Sequence, residues 1–123
     1  MKSILVPALS ALVAALATVP ALAEPPVVTA ASAQRDGMGW QLSVAIRHDD
    51  TGWDHYADGW DVLNEDGTVL ASRTLHHPHV NEQPFTRSLR QVMLPDGTRR
   101  VYIRAHCSHG DVSEPLTPVD LQF

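Results

Sequence analysis

From Trp40 to Arg47 the chain alternates between two faces. Trp40, Leu42, Val44 and Ile46 fall on one, and Gln41, Ser43, Ala45 and Arg47 on the other. A period of two with one apolar face predicts a half-buried strand. The pattern returns in Val101, Ile103 and Ala105, set against Tyr102 and Arg104. Val27 to Ala33, after Pro25-Pro26, reads as a first strand. Trp60-Asp61-Val62 runs into Glu65-Asp66-Gly67, a tight turn from which Thr68 to Leu75 runs back. Phe85 to Leu94 follows, with Leu89 and the 92–94 triplet out of phase, which predicts a bulge. Pro95-Asp96-Gly97-Thr98 is a second strong turn signal, and Leu116 to Phe123 closes the chain as an edge strand that tolerates Pro118. No window of helical period has caps and enough length. The buried faces are expected to hold Trp40, Leu42, Val44, Ile46, Trp60, Val62, Leu89, Val101 and Ile103.

Seven strands at a spacing of about ten residues, in a domain of roughly 100, resemble the pattern of a single immunoglobulin-like sandwich. Without a cysteine pair the fibronectin-III-like variant is the better match. The segments 48–60 (HDDTGWDHYADGW) and 77–88 (HPHVNEQPFTRS) also resemble motifs of small exported bacterial proteins without an assigned activity. That resemblance implies export and a single domain. In such a sandwich the loops alternate between two ends. The loops at roughly 47–57, 75–84 and 106–115 then share one pole, and the Asp-Gly turns at 36–37, 66–67 and 96–97 take the other.

The start of the chain reads as a signal peptide over residues 1–23. Lys2 gives a positive start, Ile4 to Val19 is almost wholly apolar or small, and Ala21-Leu22-Ala23 suits a cleavage site before Glu24. A retained membrane anchor fits less well, and no cysteine follows the cleavage site to carry a lipid. Residues 24–123 form the expected β-sandwich domain, exported to the periplasm or secreted. With Lys2 removed, eight arginines face fourteen acids, a net charge of −6 that disfavours nucleic acid and anionic membranes as partners. The single cysteine, Cys107, has no internal partner for a disulfide.

All seven histidines fall in the three loops of one pole: His48 and His55, then His76, His77 and His79, then His106 and His109 beside Cys107. His77-Pro78-His79 places two imidazoles on one side of an extended segment, about 6.6 Å apart along the chain. His106-Cys107-Ser108-His109 adds a pair that a turn brings together. His76 is expected to face solvent. Cys107 is read as out of phase with Val101, Ile103 and Ala105, which argues against plain core burial. Imidazole with carboxylate suits zinc or copper(II), and a thiolate favours zinc or copper(I). The expected metal ligands are His48, His77, His79, His106 and His109, with His55 or Cys107 as replacements. Asp49, Asp50 and Asp54 supply ligands or fix which imidazole nitrogen faces the ion. A blue-copper pattern fails for want of a methionine after His109.

The competing expectation is that these histidines bond to backbone and hold three long loops in place. A protein-recognition module would instead use Trp53 and Tyr56 as aromatic anchors for another periplasmic or surface protein. Asp50-Thr51-Gly52 is the aspartic-protease triplet, but a single copy lacking its apolar lead-in reads more simply as a loop turn. No nucleophile–base pair can be singled out, so binding is expected and catalysis is not.

Overall fold

The computed structural model describes residues 24–123 together with Ser3, so the signal-peptide reading lies, apart from Ser3, outside the described residues. Seven strands form: β1 (Val27–Asp36), β2 (Gly39–Arg47), β3 (Ala57–Leu63), β4 (Val69–Thr74), β5 (Phe85–Val92), β6 (Arg100–Cys107) and β7 (Thr117–Asp120). They divide into a three-stranded sheet, β1-β2-β5, and a four-stranded sheet, β4-β3-β6-β7. Every pairing is antiparallel. This is the all-β sandwich that the alternation predicts.

The inward faces meet in one core. The first sheet contributes Trp40, Leu42, Val44, Ile46 and Phe85, and the second Trp60, Val62, Val101, Ile103, Ala105 and Val119. Eight of the nine expected core residues are buried. Leu89 is the exception, half-buried on β5 at the sheet edge. The register of β2 against β5 shifts between Trp40 and Leu42, and Gln91 takes φ 52°. One extra residue on β5 therefore turns Val92 inward, at 5 % exposure, while Leu89 stays at the rim.

Antiparallel connection fixes two poles. At one, the Asn64–Thr68 and Pro95–Thr98 turns lie side by side along one shallow cleft. Each is closed by its own hydrogen bonds, Asn64 N to Thr68 O at 3.0 Å and Thr98 N to Pro95 O at 3.1 Å. Gly67 (φ +87°) and Gly97 (φ +85°) take the left-handed conformation these turns need. At the other pole the β2–β3, β4–β5 and β6–β7 connections come together with the end of β6, which gathers the histidines and the thiol there.

Candidate metal centre

The β2–β3 loop is built around Asp50. Its Oδ1 accepts from Ala57 N at 2.9 Å and lies 2.6 Å from His48 Nδ1, and its Oδ2 accepts from His79 N at 2.8 Å. A buried carboxylate is tolerated because all these donors point at it. Gln83 adds a second clasp, accepting from His48 N at 2.9 Å and donating to His79 O at 2.8 Å. Thr51 N to His55 O (2.9 Å) and His55 N to Gly52 O (3.3 Å) close a tight turn, with Gly52 at φ +135°. That turn sends Trp53 outward and brings His55 back inward. Ser108 joins the β6–β7 loop to this one, donating from N to Tyr56 O at 2.9 Å and accepting from Tyr56 N at 3.1 Å.

These contacts bring His48, His55 and Cys107 together. One ligand atom from each lies within 4.8 Å of the others, and all three residues are buried. The His48 and His55 rings meet edge to face at 4.5 Å, and His55 Nε2 lies 3.3 Å from Cys107 Sγ. The Asp50 contact assigns the Nδ1 proton of His48 and leaves Nε2 as a lone-pair donor. Nε2 is buried and has no hydrogen-bond partner among the described residues. A carboxylate on one imidazole nitrogen and a vacant lone pair on the other is the arrangement that orients metal-binding histidines. Burial holds the His55 pKa below the ordinary histidine value, with the neighbouring His48 and His109 adding to the effect. Its ring is thus held neutral, in the form that can ligate.

The burial of Cys107 corrects the expectation that it stands out of phase with Val101, Ile103 and Ala105. The odd-numbered residues of β6 all face inward, and Cys107 is the fourth of them, 2 % exposed. The same alternation places His106 outside the three-residue cluster. As the neighbour of Cys107 on a strand it faces outward, where its Nδ1 lies 2.5 Å from Asp58 Oδ1 and its Nε2 3.6 Å from Asp61 Oδ1. Asp61 also accepts from Arg104 (3.1 Å) and Ser72 (2.8 Å), so His106 belongs to an ion-pair group on the sheet surface.

His77 and His79 do lie side by side, ring centroids 4.6 Å apart, but outside the three-residue cluster. His79 is buried flat on Phe85, with centroids 4.0 Å apart and planes 10° off parallel. His77 is exposed and donates from Nδ1 to Pro78 O at 3.1 Å. His76 is exposed, as expected. His109 is exposed with its ring 4.1 Å from that of His55, and its Nε2 donates to Asp54 O at 2.8 Å. Trp53 is 67 % exposed and meets Tyr56 edge to face at 5.6 Å. Gln83 and Ser108, which align the loops, carry no mark in the sequence that sets them apart from other polar loop residues.

The chain is 40 % identical over 85 residues to a protein of Halomicrobium mukohataei that bears the name "Putative lipoprotein". The match takes in 69 % of this chain and 41 % of that relative, so the chain spans less than half of the relative's length. No family model matches the chain. No solved structure matches it significantly.

Proposed function

We propose that this protein binds a transition-metal ion, copper or zinc, through His48, His55 and Cys107, as an exported binding protein of the periplasm or cell exterior. The observation that carries the reading is the buried His48 Nε2, which lacks a partner while Asp50 holds Nδ1, beside the His55–Cys107 pair. Metal–nitrogen bonds of about 2.0 Å and a metal–sulfur bond of about 2.3 Å place nitrogen and sulfur about 3.5 Å apart at a tetrahedral angle. The 3.3 Å separation of His55 Nε2 and Cys107 Sγ is close to that value. The relative's name supports export, as does the signal-like start of the chain. The β1-β2-β5 and β4-β3-β6-β7 strand orders support a fibronectin-III-like sandwich, a fold that serves recognition as readily as metal binding.

The test is elemental analysis and metal titration of protein purified without a histidine tag. One ion per chain is expected for wild type, His77→Ala and His106→Ala, and none for Cys107→Ser or His55→Ala. Equal binding by wild type and Cys107→Ser would reject the site.

A second reading rests on the exposed Trp53–Tyr56 pair. In it the pole is a recognition surface for another exported protein, and neither reading involves catalysis.

A further inference from the structure

Resting on the metal site just described, we propose that its ion is copper, held in a three-ligand set of two imidazoles and one thiolate. Three features lead there. Structural zinc takes four protein ligands, and catalytic zinc takes three and a water. Here the cluster supplies three, all buried. The Asp50 carboxylate is engaged with Ala57 N, His79 N and His48 Nδ1, and His109, whose ring lies 4.1 Å from that of His55, stands outside the three-residue cluster. Two histidines and a cysteine in a trigonal arrangement are sufficient strong ligands for copper, whose remaining contact is long and weak and need not be methionine.

Affinity points the same way, since nitrogen and sulfur sites bind copper(II) more tightly than zinc when geometry imposes no penalty. Charge permits either divalent ion, since with the Cys107 thiolate and the Asp50 carboxylate it sums to zero, as a desolvated site requires. Loading releases the thiol proton of Cys107 and the ion's displaced waters to solvent and forms one copper–sulfur and two copper–nitrogen bonds, with no change of oxidation state.

The experiment is anaerobic loading of the full mature chain with equimolar copper(II) and zinc(II), followed by dialysis, metal analysis and X-ray absorption at the copper edge. That spectrum reads a sulfur ligand in either oxidation state. Copper retained at one ion per chain, with one sulfur and two nitrogens around it, is the expected result. The sulfur signal should vanish in Cys107→Ser, and retention should fall at least tenfold in His48→Gln, which serves if Cys107→Ser does not fold. Zinc retained in preference to copper overturns the copper assignment and leaves the metal site standing. Copper retained without a sulfur neighbour places the ion elsewhere and overturns the assignment. Retention of neither ion overturns the site itself.

Discussion

The Asp50 carboxylate joins His48 to His79, taking the His48 ring nitrogen on one oxygen at 2.6 Å and the His79 amide on the other at 2.8 Å. Two loops that enter the pole from different strands therefore share one buried acceptor. The tautomer of His48 and the position of the His77-Pro78-His79 segment depend on the same group. Of the two roles considered for the histidines, holding the loops falls mainly to Asp50, Gln83 and Ser108. The imidazoles of His48 and His55 are left available for a ligand.

Asp50→Ala should be among the most damaging single changes. It strands the amides of Ala57 and His79 and the Nδ1 of His48 without an acceptor. Removing one partner of a buried charged group costs about 3 kcal/mol or more. Urea unfolding of the metal-free protein measures this directly. Asp50→Asn keeps the shape and restores part of the loss, yet it no longer fixes the His48 tautomer as firmly, so metal affinity should fall about 10–100-fold. Stability within 1 kcal/mol of wild type for Asp50→Ala would show that water replaces the carboxylate.

His79 should behave as a packing residue. It lies flat on Phe85, and neither ring nitrogen finds a hydrogen-bond partner among the described residues. Replacing a buried unpaired polar group by an apolar one of similar shape is neutral or stabilising. His79→Phe is therefore expected to be at least as stable as wild type at neutral pH, and His79→Ala to lose about 2 kcal/mol through the space it opens. Thermal melts of both variants decide the point. A large loss in His79→Phe would mean that the ring nitrogens are needed.

Much of this was legible in the chain. Alternation placed Trp40 to Ile46 and Val101 to Ala105 in the core, and the Asp-Gly turns separated the two poles. What failed was parity at a strand end. Counting by twos from Val101 reaches Cys107, so the thiol faces in and His106 faces out. Sequence proximity within His106-Cys107-Ser108-His109 had suggested that both imidazoles served one ion. The proline-spaced pair His77 and His79 lies side by side as its spacing predicts, but apart from the cluster, with His79 stacked on the Phe85 ring. His55 entered the cluster through the Gly52 turn, whose direction is set with the long-range hydrogen bonds of Tyr56 to Ser108 in the β6–β7 loop, which composition does not encode.

Gly59 has no room for a side chain. A methyl group built there would lie 2.8 Å from the carbonyl oxygen of Arg73 and 2.6 Å from the His106 ring. The ring could swing away, releasing Asp58, but the β4 backbone could move only by breaking its register with β3. Gly59→Ala should destabilise by about 1–3 kcal/mol through overpacking. The double variant Gly59→Ala, His106→Ala isolates the ring's share. Recovery in the double variant to the level of His106→Ala alone would mean the β4 carbonyl yields at no cost.

Acid should weaken the metal-free fold as pH falls through the histidine range. Burial lowers the pKa of His55 and of His79, the first with help from His48 and His109 and the second from Arg87 and His77. Asp111 and Asp50 around His55, and Glu82 and Asp50 around His79, oppose these shifts without cancelling them. In the unfolded chain both residues titrate near 6.5. Well above that pH both states are neutral and the groups contribute nothing to the pH dependence. As pH falls through about 6.5 the unfolded chain takes up protons that the fold excludes, so stability falls. The decline ends once pH passes below the lowered folded-state values, where both states bind the proton. Each group can contribute at most about 1.4 kcal/mol per pH unit. Urea midpoints at pH 7.5, 6.5 and 5.5 with a chelator present should fall slightly over the first step and more steeply over the second. His79→Phe should keep only the part due to His55. A level profile down to pH 5.5 would mean that both imidazoles can protonate within the folded pole, removing the basis for holding His55 neutral and ready to ligate.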